Sequence, residues 1–249
     1  MRDSVLPGVR LRGVLELAMP SLGRLVNQMW ASESPPGTYL KWLGVAHDAM
    51  RATVPLLIAA QQECARRPDT VSSLLLPYLA AQAGDEAGHD DWVREDFRQA
   101  GGDPVALEQR IPAGSIARLV GAQYYWLLHE HPVALLGHIA VLEWFPPASD
   151  LAPRLAQQYG LRLTAFTTIS QHAELDQEHG DQLGRLLDAL PLSPRLSALV
   201  VTSALTTVCG LADVIADLTD RRKRAPWQTF PDWKNSDSSS TSPTTSNSR

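Results

Sequence analysis

The sequence predicts an all-α bundle of about seven helices, and three observations carry that prediction. Apolar residues recur at i, i+3, i+4 and i+7 along most of the chain, the spacing that puts them on one helix face. No Val/Ile/Thr-rich run alternates long enough to build a sheet. Glycine and proline cluster between the periodic stretches, where helices stop and start.

The periodic stretches are 12–31, 38–66, 70–99, 114–130, 133–145, 164–190 and 195–222. Pro55 and Pro77 fall inside the second and third. A proline there removes an N–H and crowds the preceding turn, so a kink or interruption is expected at both. Gly101-Gly102-Asp103-Pro104 ends the third stretch, and Pro132, after His131, opens the fifth. Pro146-Pro147 closes that one, while Ser193-Pro194 reads as an N-cap with proline at the first helical position. Residues 1–225 are expected to form one helical domain. Beyond it, 226–249 ends in NSDSSSTSPTTSNSR, too polar to bury much surface, and is expected to be a disordered Ser/Thr-rich tail. No internal repeat is found.

At 249 residues, with 44% hydrophobic and 20% charged side chains, the chain can bury a large core. A net charge of −5 offers no basic field for nucleic acid. The single basic run, Arg221-Arg222-Lys223-Arg224, suits the C-terminal end of a helix dipole. Cys64 and Cys209 share no spacing with a histidine, so reduced thiols are expected. No apolar run reaches the ~18 residues of a membrane helix, and no signal-peptide layout opens the chain. A cytoplasmic location is the expectation.

Three clusters carry chemistry. QHAELDQEHGDQ, residues 171–182, places His172, Asp176 and His179 within roughly 60° on a helix. A solvated face produces such a stripe by chance; a metal site requires it. GDEAGHDDWVREDF, residues 84–97, holds Glu86 and His89 three apart, adjacent on one helix face, with Val93 and Asp96 continuing the stripe. In PVALLGHIAVLEWFPP, residues 132–147, Glu143 is the one acid in a helix apolar almost all round. Such a helix is normally buried, and a lone buried carboxylate is costly unless paired, protonated or bound to a cation. Together the clusters supply Glu86, Glu143 and Asp176 with His89, His172 and His179, a mixed nitrogen–oxygen set that suits iron or manganese better than structural zinc. Two Fe(II) ions on three carboxylates leave a small net positive charge. Ferritin-like di-iron bundles use two E-x-x-H helices and two further glutamates; here H-x-x-x-D-x-x-H stands in place of the second E-x-x-H.

In this chain order the pieces YLKWLGVAHDAMRATVPLL (39–57), DEAGHDDWVREDF (85–97), YYWLLHEHPVALLGHIAVLE (124–143) and HAELDQEHGDQL (172–183) resemble the haem-oxygenase-like di-iron oxidases and oxygenases, the iron-containing redox enzymes. The resemblance covers residues 38–190. It implies a haem-oxygenase-like bundle of seven helices and a site that activates O₂ with two Fe(II) ions. Metal ligands would be Glu86, His89, Glu143, His172, Asp176 and His179. Some members place the first glutamate seven residues before the histidine, where this chain has Gln82, so that role falls to Glu86. Family members desaturate, cleave carbon–carbon bonds or N-oxygenate small molecules such as amino and fatty acids; the ligand helix can be mobile until metal binds. Here the favoured substrate is a free aliphatic amino acid or amine in specialised metabolism.

Around the ligands, Asp96 is a candidate for orienting the His89 imidazole. His47 and Arg51 are candidate substrate contacts, Arg51 through a carboxylate. Tyr125, with Tyr124, Trp126 and Trp144, is a candidate for the pocket wall, whereas His129, His131 and His138 fall off the ligand faces. Glu174 and Glu178 keep a solvated reading. Expected partners are a small-molecule substrate, an external electron donor and a second copy of the chain as homodimer, with no nucleic acid and no membrane. The competing readings are a haem-degrading oxygenase with His47 as axial ligand, which leaves the six residues without purpose, and a non-catalytic iron-binding protein. A thiamine-degrading enzyme is disfavoured because neither cysteine lies beside a base.

Overall fold

Caps and glycines set where the helices begin and end. Asp69 accepts the Ser72 N–H at 2.8 Å and the Ser72 hydroxyl at 2.8 Å, satisfying a donor the helix start leaves open. Asp103 accepts the Val105 N–H at 3.0 Å, and Ser193 the Leu196 N–H at 3.2 Å. The computed structural model describes residues 6–31 and 37–219. They form α1 (Pro7–Trp30), α2 (Gly37–Ala65), α3 (Thr70–Asp85), α4 (His89–Gln99), α5 (Pro104–Gln109), α6 (Gly114–His129), α7 (Leu135–Glu143), α8 (Leu151–Tyr159), α9 (Thr167–Ala189) and α10 (Pro194–Thr219). Short 3₁₀ turns at Pro132–Ala134 and Leu163–Phe166 lead into α7 and α9. No strand occurs among the described residues. The basic run at 221–224 and the expected tail at 226–249 lie outside them.

Three departures from the sequence reading matter. The stretch 70–99 is two helices, broken at 86–88, where Gly88 turns the chain at φ +89°; that left-handed value favours glycine. Asp90 and Asp91 then sit in the first turn of α4, on the favourable side of its dipole. Two helices, α5 and α8, were not expected. Each is short, and α8 stops at Gly160, φ +66°, a C-terminal signal hidden among prolines. Finally, α2 and α3 continue through Pro55 and Pro77 without interruption.

The core has two main apolar clusters. One joins Leu11 and Leu15 of α1, Leu56 of α2, Leu75 of α3, Leu136 of α7 and Leu183 of α9. The other gathers around Tyr39, Leu43, Phe166 and Ile169. Tyr39 is fully buried, stacks on Phe166 with centroids 4.4 Å apart, and donates its hydroxyl to the Ala165 carbonyl at 2.5 Å. That contact anchors the approach to α9 against α2. Two close helix crossings need glycine. A Cβ on Gly137 of α7 would meet the Val200 carbonyl of α10 at 2.1 Å, and one on Gly180 of α9 would meet Trp144 Cδ1 at 2.9 Å.

The last helix corrects one expectation. By length and composition α10 is apolar enough to cross a membrane, although the sequence reading found no such run. The polar residues that seemed to break it are mostly Thr and Ser; Thr202 and Thr207 turn their hydroxyls back to the Ala198 and Ser203 carbonyls, each at 2.9 Å. One of its faces, with Leu199, Val200, Ala204 and Val214, is buried in the core.

Candidate metal centre

Four helices bring the charged residues to one place. Glu86 caps the C-terminal end of α3, and His89 is the first residue of α4. The Gly88 turn, rather than one continuous helix face, sets them together. Glu143 is the last residue of α7, and α9 supplies His172, Asp176 and His179. His89, Glu143, Asp176 and His179 are buried, and Glu86 and His172 nearly so.

Ligand-capable atoms of Glu86, His89 and His172 lie within 4.8 Å of one another, and so do those of Glu86, Glu143 and His179. Glu86 belongs to both groups, the place a bridging carboxylate would take. His89 Nδ1 stands 3.2 Å from Glu86 Oε2, and His179 Nδ1 3.9 Å from Glu143 Oε1. Yet neither nitrogen, nor Glu143 Oε2, makes a hydrogen bond in the interior. Buried polar atoms are rarely left so. Lone pairs that converge without protons between them fit a cation, and the donor set fits iron.

The electrostatics point the same way. Burial, reinforced by Glu86, Asp176 and Asp85, pushes the Glu143 carboxyl up to about 9. Burial and Glu86 raise Asp176 to about 7. Burial also acts on Glu86, but the close approach of His89, with the nearby His172 and His179, outweighs it and holds that carboxyl below its usual range. Without a cation the cluster therefore favours protons on Glu143 and Asp176. Asp176 stands beside both triads without joining either within the same distance. On α9, Glu174 and Glu178 are exposed, as expected.

Neighbouring groups hold this arrangement. His172 Nδ1 donates to the Thr168 carbonyl at 2.8 Å, which fixes the tautomer and leaves Nε2 as the lone-pair nitrogen. Trp92 stacks on His89 with centroids 4.1 Å apart and meets His172 edge-on at 6.0 Å. Trp144 donates to the Gly180 carbonyl at 2.8 Å, tying the end of α7 to α9 between two ligand positions. Tyr78, whose buried hydroxyl has no partner, feels the charges of Glu143 and Glu86.

Four expected roles change. Asp96 does not orient His89. Its fully buried carboxylate accepts the Thr167 N–H at 3.0 Å and the Thr168 N–H at 2.8 Å, so it caps the start of α9. Beside the ligands lies a cavity of about 180 Å³, and α2 turns Ala46, Ala49, Met50 and Thr53 towards it. His47 and Arg51 sit one position round the helix and miss it. Arg51 reaches to 3.9 Å from Asp48, itself paired with Arg110 at 2.6 Å, and His47 is buried among these charges. Tyr125 is 55% exposed and packs against Trp126 and His129. Neither it nor Tyr124, Trp126 or Trp144 lines the cavity. The wall instead holds Thr53, which the sequence did not mark, His138, read there only as lying off the ligand faces, and Gln82, which lies one turn before Glu86 with its amide nitrogen unpartnered. Cys64 is buried, its thiol pushed up to about 11, which is no setting for a nucleophile.

Fold and site define a helical bundle whose interior gathers carboxylates and imidazoles that could hold a metal. Residues 50–209, more than half of the chain, match the iron-containing redox enzyme family, and the chain belongs to that family. Among solved structures, a domain of unknown function with a heme oxygenase-like fold from Shewanella denitrificans is similar, with a TM-score of 0.69 at 14% identity over 83% of this chain and 89% of that one. A TenA homolog from Pseudomonas syringae is similar with a TM-score of 0.63 at 9% identity, over 83% and 91% of the two chains. At these identities the likeness speaks for the fold alone, which is thus haem-oxygenase-like. No curated protein matches the chain.

Proposed function

We propose that this chain is a non-haem di-iron oxidase or oxygenase that acts on a small aliphatic molecule with O₂ as co-substrate. The observation that carries the reading is the sharing of Glu86 between two ligand groups, Glu86/His89/His172 and Glu86/Glu143/His179. Two ferrous ions held there would supply the electrons for O₂ reduction and the oxidising power for attack on a C–H or C–N centre.

The residues of the chain do the rest. Thr168 and Trp92 hold the His172 and His89 rings, so their free nitrogens meet a cation without rearrangement. Glu143 and Asp176 give up protons as positive charge arrives. Leu56, Leu57, Ile139 and Leu142 line the cavity and exclude water from the reacting end of a substrate. No lysine or arginine is among its lining residues within the described chain, so an amine or another molecule without a carboxylate suits it better than a free amino acid.

Anaerobic loading with Fe(II), followed by metal counting, tests the reading. Two ions per chain are expected, with Glu86→Ala abolishing the binding of both and His172→Ala weakening one. Added aliphatic amines should then trigger O₂ consumption in stopped flow. One ion per chain at saturation, or a Glu86→Ala variant that still binds two, overturns the assignment.

A further inference from the structure

Among the described residues, His138 is the one ionisable group on the cavity wall that belongs to neither triad. It sits on α7, five residues before Glu143, about 7.5 Å along the helix axis. Behind it lies a closed set of buried hydroxyls and an amide from α6 and α10. Ser203 Oγ donates to Gln123 Oε1 at 3.1 Å, and Gln123 Nε2 donates to Thr207 Oγ1 at 3.3 Å. Thr207 spends its only proton on the Ser203 carbonyl, at 2.9 Å. His138 Nδ1 lies 3.0 Å from that same Thr207 oxygen. With the threonine proton committed elsewhere, the hydrogen in this contact must come from the imidazole.

His138 is therefore held as the Nδ1–H tautomer, and Nε2 carries a lone pair. Nε2 makes no hydrogen bond to any described residue. Burial pushes the ring down to about 4, so it is neutral at pH 7 and accepts rather than donates. The remaining wall near it is Leu119, Val120, Leu135 and Leu211, which offer a ligand nothing polar. A bare acceptor held in place beside apolar side chains selects for a donor on what enters.

We infer that His138 Nε2 is the specificity-determining acceptor of this cavity, and that the substrate is an aliphatic molecule bearing an O–H or N–H donor some carbons away from the oxidised position. The inference rests on the reading of the cavity as the substrate chamber of the metal centre, and it deepens that reading by fixing one end of the substrate. His138 is a binding residue here, apart from the groups that would hold metal. The Thr207–Gln123–Ser203 set is its positioning device, since it decides which ring nitrogen is bare.

A matched pair of probes, 1-octanol and heptyl methyl ether, tests this by calorimetric titration of the metal-free and the anaerobic Fe(II)-loaded chain. The two differ in having or lacking a donor. Octanol should bind about fivefold more tightly, the worth of one neutral hydrogen bond. His138→Leu should erase the preference while leaving the ether bound. Thr207→Val removes the acceptor for Nδ1–H, frees the proton to move to Nε2 and should level the two affinities while both probes stay bound, since either oxygen can accept from Nε2–H. A purely structural role for Thr207 would weaken both probes alike. In ¹⁵N-histidine spectra, the wild-type His138 should show a protonated Nδ1 and a bare Nε2. Equal affinity for the two probes, a preference that survives His138→Leu, or a bare Nδ1 overturns the inference. So does failure of both probes to bind, an outcome that leaves the iron count of the preceding test untouched.

Discussion

Replacing Asp96 by asparagine should loosen the start of the ligand helix and, through it, the metal site. The Asp96 carboxylate accepts two backbone N–H groups, from Thr167 at 3.0 Å and Thr168 at 2.8 Å, with no exposure to solvent. Hydrogen bonds to a charged acceptor contribute about 1.5–3 kcal/mol each. Asparagine keeps one acceptor oxygen, loses the charge and turns an NH₂ group towards the other N–H. One bond is lost, the other is weakened and a buried donor is left unpaired, so the folded state should lose about 2–4 kcal/mol. Thr168 also receives the His172 Nδ1–H at 2.8 Å, so fraying there displaces a ligand ring. Fe(II) affinity should fall at least about tenfold, the scale of loss for groups that hold ligands in place. Urea denaturation measures the first quantity and anaerobic Fe(II) titration the second, with hydrogen exchange over 163–176 locating the change. A stability loss below about 0.5 kcal/mol, the size of an ordinary surface substitution, would refute the capping role. Weaker Fe(II) binding with unchanged exchange at the start of α9 would point back to His89 as the group Asp96 serves.

Three further outcomes are expected. Gly180→Ala should weaken Fe(II) binding although alanine raises helix propensity by about 1 kcal/mol, because its Cβ would stand 2.9 Å from Trp144 Cδ1 and 3.3 Å from the Glu143 carbonyl and part α7 from α9; metal titration beside a thermal melt separates the two effects. The metal-free chain should lose stability as pH rises, since the folded state raises Glu143 to about 9 and Asp176 to about 7 and so binds protons that the unfolded chain has already released. The decline should be clear above about pH 6.5, where histidines that burial keeps neutral in the folded chain, such as His138, no longer offset it, and should end near pH 9; Fe(II) binding at pH 7 should release protons to a dye indicator and tighten with pH. Ferrous iron should quench Trp92, which stacks 4.1 Å from His89, and Trp92→Phe should remove most of the quenching despite the chain's other tryptophans.

Much of this molecule was legible before any tertiary contact was known. A 3.6-residue period and proline–glycine punctuation located the long helices to within a few residues, because both are local properties of the chain. The stripe His172, Asp176 and His179 was visible because helical spacing alone places the three together, and Glu143 because an acid in an all-apolar helix needs a partner. The break at Gly88 was hidden, for Glu86 and His89 meet equally well on a helix or across a turn. Short helices such as α5 carry too few periods to be seen.

What the tertiary structure decided was which distant residues face one another. Asp96 could orient His89 or cap α9, and only the packing of α4 against the start of α9 settled it for the cap. Arg51 and Thr53 are two residues apart, yet the rotation of α2 aims Thr53 at the cavity and Arg51 at Asp48. His138 looked like a histidine off the metal stripe; its neighbours Thr207, Gln123 and Ser203 come from up to 69 residues away. Local sequence sets helix and stripe because those depend on residues three and four apart. Tautomer, cavity wall and the sharing of Glu86 depend on contacts between helices, and only the fold brings those partners within reach.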